Sequence, residues 1–252
     1  MSNPTERFSN RVADYVKYRP GYPVELLQLL RARCELSPDS VVADIGSGTG
    51  KLTELFLKNG NRVFAVEPNS AMRLAAEQLL STNNRFVSVS GSAEDTTLNS
   101  GSIDLISAGQ AFHWFDRTKA KTEFARILKP GGWTVIIWNE RKLDTTPFLK
   151  AYEKLLLNYG TDYQEVRHEN VAGEVAGFFA PNETAMSSFE NRQEFDFEGF
   201  KGRVASSSYT PPPGSADFDT MLTVLKEIFD EYSVNNRVVF EYNTRVYFGQ
   251  VS

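Results

Sequence analysis

Asp44 and Glu67 each stand at the end of a short apolar run, in surroundings that point to binding chemistry. Asp44 closes Val41-Val42-Ala43-Asp44 and is followed by Ile45 and three alternate glycines, Gly46, Gly48 and Gly50, with Ser47 and Thr49 between them. Glycines at that spacing remove the Cβ atoms that hold a ligand off the backbone, and they admit the positive φ values that turn a strand sharply into a helix. Glu67 closes Arg62-Val63-Phe64-Ala65-Val66, 23 positions after Asp44, about where a βαβ unit sets a carboxylate beside a bound ribose. From there a carboxylate can accept hydrogen bonds from both ribose hydroxyls. The dinucleotide fingerprint needs its third glycine three positions after the second. Lys51 stands there instead, which argues against NAD. The competing structural readings are an ordinary strand-to-helix corner and a solvated strand end.

Three further groups carry candidate chemistry. Gln110-Ala111-Phe112-His113-Trp114-Phe115 sets bulky aromatics and a histidine directly after a buried run, an unusual content for a surface loop. His113 has three readings: a substrate contact, a structural hydrogen bond or a general base. Tyr15, Tyr18, Arg19 and Tyr22 are punctuated by Pro20 and Pro23, which restrict the local backbone. This segment is either a lid over a ligand or an arm packed on the sheet edge. Ser92-Ala93-Glu94-Asp95 is either a ligand-binding turn or an exposed acidic one, and Met72 either lies against a ligand or belongs to the core.

The elements that position these groups alternate between strand and helix patterns, which predicts a parallel sheet with helices on both faces. Strands are expected at about 41–45, 62–67, 85–89, 103–108 and 133–138. The helix after the first strand buries Leu52, Leu55 and Phe56 and ends at Gly60. Asn69 or Ser70 caps a helix over 70–80 whose Met72, Leu74, Ala75, Leu79 and Leu80 look inward. Asp116 caps a helix running to Leu128, and Pro130-Gly131-Gly132 marks a turn. In such an open sheet, ligands bind beyond the carboxyl ends of the strands, where every candidate group lies.

After Asn139 the alternation fails. Helix-like spacing over 141–200 reads as an insertion or substrate cap whose Tyr152, Tyr159, Tyr163, Phe178 and Phe179 either line a pocket or form core. Met186–Phe195 is a candidate strand, Met221–Tyr232 a helix and Val246–Gln250 a closing antiparallel strand, with Pro211-Pro212-Pro213-Gly214 a stiff connector. The organisation expected is an N-terminal arm or lid with the first helix over 1–35, a binding core over 36–140, the insertion over 141–200 and completion of the sheet over 201–252.

Asp44-Ile45-Gly46-Ser47-Gly48-Thr49-Gly50 resembles the D/E-x-G-x-G-x-G motif of class I S-adenosylmethionine-dependent methyltransferases. The resemblance runs from about Phe8 to Trp138. Arg19-Pro20-Gly21-Tyr22-Pro23, Gln110 to Phe115 and Leu128-Lys129-Pro130-Gly131-Gly132 look like the trans-aconitate-type subgroup. The resemblance implies a Rossmann-like α/β fold with a seven-stranded, mostly parallel sheet, helices on both faces, an antiparallel closing strand and an inserted helical segment. It implies S-adenosyl-L-methionine as cofactor, held by Tyr18, Arg19, Asp44, Gly46, Ser47, Gly48, Gly50, Glu67, Pro68, Met72, Ser92, Ala93, Glu94 and Gln110. Arg19 or Tyr18 then meets the cofactor's carboxylate or an acidic substrate. Many relatives carry Asp where Ser92 stands, so a side-chain bond to the adenine amine comes from Glu94 instead or is absent. His113 and Trp114 are the residues expected at the reacting methyl, Trp114 either shielding the sulfonium from water or offering it a polarisable face.

Composition agrees with this reading. The 252 residues suit one large domain, or one with an insertion; 41% are hydrophobic and 23% charged, as in ordinary globular proteins. A net charge of −5 disfavours a nucleic-acid substrate. Two histidines, His113 and His168, make a histidine-rich metal centre improbable, and no metal is expected. The lone Cys34 excludes an intrachain disulfide and is read as packing in a helix rather than as reactive. No apolar run reaches the roughly 20 residues of a membrane helix, and the opening Met1 to Arg7 is polar, so a cytoplasmic monomer or homodimer without a membrane partner is expected. The leading reading is methyl transfer to a small molecule, most plausibly a carboxylate oxygen of an organic acid. A nucleotide-dependent oxidoreductase and a non-catalytic S-adenosylmethionine-binding protein are the alternatives.

Overall fold

Runs of β-branched and aromatic residues alternate with helix-forming ones, and the chain folds accordingly. The computed structural model describes residues 12–163 and 171–251, so Phe8 and His168 lie outside the described residues. Two helices, α1 (Val12–Tyr18) and α2 (Glu25–Arg33), precede β1 (Val41–Ile45). Then follow α3 (Lys51–Lys58), β2 (Arg62–Val66), α4 (Ser70–Leu80), β3 (Phe86–Val89), β4 (Ile103–Gly109), α5 (Arg117–Ile127) and β5 (Leu128–Arg141). The remainder comprises α6 (Pro147–Tyr159), α7 (Val171–Phe179), β6 (Ala185–Phe195), α8 (Phe197–Ala205), α9 (Ala216–Tyr232) and β7 (Val238–Gly249).

The seven strands lie in the order β3-β2-β1-β4-β5-β7-β6. The first five pair in parallel, while β7 runs antiparallel to both β5 and β6. The fold is the Rossmann-like, mostly parallel sheet with helices on both faces. The strand order reverses at β1, so the loops leaving β1 and β4 part there and open a crevice for a ligand.

Three cores hold this arrangement. On one sheet face α2 and α3 bury Leu26, Leu30, Leu52 and Phe56 against Val42, Leu105 and Val135. On the other, α5 and α7 bury Phe124, Ile127, Phe178 and Phe179 against Ala43, Ile45 and Ile106. A third, strongly aromatic core joins α6, α8 and α9 to the adjoining ends of β6 and β7 through Tyr152, Phe200, Phe218, Phe195, Phe240 and Tyr242. The helices of the 141–200 segment therefore divide, α6 joining the aromatic core and α7 the sheet. Tyr152, Tyr163, Phe178 and Phe179 are buried core residues, and Tyr159 packs against the aromatic core.

Several local expectations need correcting. In α4 Met72 and Ala76 are buried, but Leu74 and Leu79 are 56% and 53% exposed. The buried stripe steps by four from Met72 to Ala76, and Leu74 lies across the helix from it. Pro130 to Gly132 sit inside β5, where Ile103 pairs with Leu128 but Leu105 already pairs with Trp133, so the expected turn is an excursion within one strand. Helix α9 begins at Ala216 because Ser215 caps it, accepting from Phe218 N at 3.2 Å. Strand β7 begins at Val238, eight residues before the expected start, and pairs along its length with β6.

Candidate active site

The turn after β1 is built as the glycines dictate. Gly46, Gly48 and Gly50 have φ values of 67°, 57° and 85°. Gly46 N and Ser47 N both donate to Val66 O, at 2.8 and 3.1 Å, which fastens the turn to the end of β2. A Cβ on Gly46 would lie 2.5 Å from the Ala111 Cβ, and one on Gly50 would lie 2.5 Å from a Leu80 methyl. A Cβ on Gly48 would meet nothing within 4 Å, because its Cα faces open space.

Glu67 is 8% exposed, and its carboxylate ties the turn to α4: Gly48 N donates to Oε2 and Asn69 N to Oε1, each at 2.8 Å. Burial pushes its pKa up, and these two backbone donors partly offset the rise. Asp44 is deeper, 1% exposed, accepting from Thr53 Oγ1 at 2.6 Å and Ser107 Oγ at 3.0 Å. Burial raises its pKa to about 6 against those hydroxyl donors. Asp44 thus braces the turn from beneath.

Gly46, Gly48 and Glu67 line one side of a cavity of about 370 Å³, within the roughly 300–1,000 Å³ of small-molecule sites. Of the expected residues, Arg19, Pro68, Met72, Ser92, Ala93, Glu94, Gln110, His113 and Trp114 line it too, whereas Tyr18, Asp44, Ser47 and Gly50 do not. Ser92 Oγ accepts from Glu94 N and Asp95 N, both at 3.3 Å, and Glu94 Oε1 accepts from Asp116 N at 2.8 Å, joining this turn to the start of α5. Met72 is 4% exposed and serves both core and wall.

The opposite wall is aromatic. Phe112 to Trp114 form a single 3₁₀ turn after β4, following Gln110, which has a φ of 56° and whose Oε1 accepts from Asn139 N at 2.7 Å. Phe112 points down, edge-on to Phe178 at 5.2 Å, which turns the next residues toward the cavity. There the His113 ring lies 4.4 Å from the Trp114 ring and 5.1 Å from the Trp138 ring, with Phe115 beside them.

The N-terminal segment forms a third side. Tyr15 and Arg19, one helical turn apart, face the cavity, with the guanidinium 5.3 Å over the Tyr15 ring. Tyr18 instead packs on Phe195 at 6.3 Å and fills the space left by Gly202. Gln193 Nε2 donates to Tyr18 O at 3.2 Å, while Asn139 and Asn191 donate to Gly21 O at 3.1 and 3.0 Å. These bonds tie Tyr18 to Gly21 onto β5 and β6.

Sequence reasoning passed over Asn69, Trp138, Ser208 and Tyr209 as cavity residues, and named Tyr15 only within the lid-or-arm segment. Helical spacing sets Tyr15 on the same side as Arg19. Ser208 and Tyr209 follow α8 in a hydroxyl-rich loop ahead of Pro211 whose only sequence signal is its composition.

Residues 43–136 match the methyltransferase domain family. An uncharacterised methyltransferase-like protein of Schizosaccharomyces pombe is 33% identical over 160 residues, covering 62% of this chain and 59% of that protein. A candidate S-adenosylmethionine-dependent methyltransferase of Saccharomyces cerevisiae is 26% identical over 276 residues, covering 93% of this chain and 94% of its own length. The chain thus spans less than two thirds of the first of these relatives and nearly all of the second. Among solved structures, one described as a candidate type II methyltransferase of Anaeromyxobacter dehalogenans superposes with a TM-score of 0.66 at 21% identity, over 92% of this chain and 98% of that one, a likeness of fold.

The matched domain is that of a class I S-adenosylmethionine-dependent methyltransferase, and S-adenosyl-L-methionine is its cofactor. The site fits that group: open space over the bare Gly48 Cα, a carboxylate at the tip of β2 beside it, and an aromatic wall of the kind that favours a cation.

Proposed function

We propose that the protein transfers a methyl group from S-adenosylmethionine to a small-molecule acceptor, at a carboxylate oxygen of an organic acid. The observation that carries this reading is a single cavity bordered both by the glycine turn with Glu67 and by His113, Trp114, Phe115 and Trp138. The motifs around Arg19, His113 and Pro130 favour the trans-aconitate-type subgroup, and hence an acid, among small-molecule acceptors.

In this reading Glu67 holds the ribose hydroxyls, Gly46 and Gly48 let the cofactor lie on the backbone, and Ser92, Ala93, Glu94, Pro68 and Met72 surround the adenine. Arg19 meets a carboxylate. Asp44, Ser47 and Gly50 contribute by shaping the turn, and Tyr18 by seating the segment that carries Arg19. Bound there, the cofactor supplies an electrophilic methyl group on a sulfonium.

The protein's part is orientation and exclusion of water. Holding acceptor and cofactor in reactive register can supply roughly 7 to 11 kcal/mol. A carboxylate acceptor is already ionised at neutral pH, so no base is required of His113, which borders the acceptor with Trp114. The aromatic wall keeps water from the meeting charges, whose hydration would otherwise be lost on reaction.

Calorimetric titration with S-adenosylmethionine and S-adenosylhomocysteine tests the cofactor half. Glu67→Ala is expected to weaken both by about 1.5 to 3 kcal/mol through loss of charge-assisted hydrogen bonds. Unchanged affinity in a folded variant refutes the ribose role. Methyl release over a panel of acids, phenols and thiols tests the acceptor, and cofactor binding without turnover on any of them favours a non-catalytic binder.

A further inference from the structure

Gln110 holds a backbone conformation that is costly for any residue but glycine. Its φ of 56° lies in the left-handed region, and such strain persists only where the surroundings enforce it. Two bonds enforce it here: Gln110 N donates to Ile137 O at 2.9 Å, and Asn139 N donates to Gln110 Oε1 at 2.7 Å. On the preceding residue, Gly109, a Cβ would collide with the Tyr22 hydroxyl, so the end of β4 is also clamped from the side of the N-terminal segment. Strain held in this way in the wall of a cavity points to a task for the side chain.

The bond to Asn139 decides which way the amide faces. A backbone N–H can be received only by the amide oxygen, so Oε1 is turned to the end of β5 and the two Nε2 hydrogens are left for the cavity that Gln110 lines. Asn139 is itself locked. It is 5% exposed; its Oδ1 accepts from Thr244 Oγ1 at 2.5 Å and Asn191 Nδ2 at 3.3 Å, and its Nδ2 donates to Gly21 O at 3.1 Å. Strands β5, β6 and β7 and the N-terminal segment thus fix one neutral donor in place. Its position along the sheet matters as well. Glu67 follows β2, two strands from β4 and so roughly 10 Å away at the usual spacing. The Gln110 side chain reaches further from it, toward β5, where Trp138 precedes Asn139 and lies 5.1 Å from the His113 ring. Gln110 therefore belongs with the His113 and Trp138 wall, not with Glu67.

We propose that Gln110, oriented by Asn139, is a specificity-determining residue for the methyl acceptor: its Nε2 donates a hydrogen bond to the oxygen-bearing group that is methylated, a carboxylate in the proposed function, on which this inference rests. The family resemblance sets Gln110 with the cofactor, and the geometry moves its side chain to the acceptor half. A fixed donor selects a group that brings lone pairs over an ammonium or amide N–H, which would oppose hydrogen to hydrogen. Being neutral, it orients a carboxylate while leaving it more nucleophilic charge than an ion pair would. Gln110 neither gives nor takes a proton. An acceptor lone pair forms the C–O bond as the C–S bond breaks, and S-adenosylhomocysteine leaves. Asn139 acts through Gln110, as a positioning residue.

Gln110→Glu separates recognition from support. One of its carboxylate oxygens can still accept from Asn139 N, while the other sets a negative charge where the donor stood; Gln110→Met loses both. Calorimetry measures S-adenosylhomocysteine first, then succinate, citrate, benzoate and phenol against the free and the S-adenosylhomocysteine-saturated protein. The parent is expected to bind at least one acid. Both variants should bind S-adenosylhomocysteine within about threefold of the parent, and that acid at least about tenfold less tightly. Gln110→Asn suits a positive φ but is one methylene shorter, so it serves if either variant fails to fold, with the same loss expected. Thr244→Val leaves Gln110 intact and loosens Asn139, and should weaken the acid by about two- to fivefold. Acid binding in Gln110→Glu equal to the parent's reduces Gln110 to a support and overturns the inference. So does a loss of S-adenosylhomocysteine affinity as large as the loss for the acid, or a parent that binds none of the four probes. Phenol bound in place of the acids, and weakened in Gln110→Met, upholds the donor and overturns the acid acceptor. Acid binding that depends on Gln110 in a protein that takes no S-adenosylhomocysteine upholds the donor and overturns the cofactor reading.

Discussion

The tip of the parallel sheet and the aromatic core behind the cavity both bury charge, but they accommodate it by opposite means. At the sheet tip two acids, Asp44 and Glu67, are met by neutral donors: two hydroxyls for the first and two backbone N–H groups for the second. In the aromatic core the charges are guanidiniums brought together from distant segments, and Glu153 alone matches them among the described residues. At the sheet tip each acid is met by two neutral donors, whereas among the described residues the aromatic core sets one carboxylate against three guanidiniums, those of Arg19, Arg141 and Arg203.

Removing the single matched acid is the most direct way to break this contrast. Glu153→Gln should cost about 3 to 5 kcal/mol in chemical denaturation, because Arg141 then stays buried without its counter-charge. A loss below about 1 kcal/mol would mean that the core tolerates its positive excess without help.

At the sheet tip the sensitive positions are steric. Gly46→Ala should cost about 3 kcal/mol, combining a left-handed φ with a collision at Ala111. Gly48→Ala meets only the backbone term, about 1 kcal/mol, yet should abolish cofactor binding if the ligand lies on that Cα. Parallel unfolding and binding measurements separate the two, and equal stability losses would show that the space over Gly48 is not open.

Glu123 sharpens the contrast, as an acid matched by both kinds of partner. Burial pushes its carboxyl up, but the Arg126 guanidinium and the Thr96 hydroxyl and N–H hold it at about 2, against an ordinary 4.5. Because the folded value lies below the unfolded one, its stabilisation is full above pH 4.5 and is lost as pH falls toward about 2. Glu123→Gln should therefore cost roughly 1.5 to 3 kcal/mol at neutral pH and converge with the parent near pH 2, as followed by denaturant unfolding.

The smallest effect is expected at Tyr152, whose buried hydroxyl has no hydrogen-bond partner among the described residues. Tyr152→Phe should shift stability by less than about 1 kcal/mol, in the stabilising direction, since a desolvated hydroxyl is removed and the ring that Arg141 covers is kept. A clear loss in thermal unfolding would show that this hydroxyl takes part in the charge balance.

The same division explains what the sequence disclosed. The strand ends, the glycine turn, Asn69 and Asp116 as caps and Glu67 beside the turn are local features, set by residues a few positions apart or by one βαβ unit. The parallel sheet followed from their alternation. Arg203 and Tyr209 carried no such signal, because their significance comes from meeting Arg19 and Arg141, which are far off in the chain. The start of β7 was hidden by Glu241, Asn243 and Arg245, polar residues tolerated in a strand whose alternate positions are buried. Leu74 and Leu79 look like core by type alone, and only the placement of α4 turns them outward. The resemblance implies Arg19 or Tyr18 at the ligand, but a helix brings residues four apart to one side, so Tyr15 and not Tyr18 lines the cavity with Arg19.

Trp114 and Trp138 flank His113 in the cavity wall, while the third tryptophan, Trp133, packs against Phe248 in the core on one sheet face. Two of the chain's three indole fluorophores therefore sit where a bound molecule changes their solvent contact, so intrinsic emission follows occupancy without any attached dye.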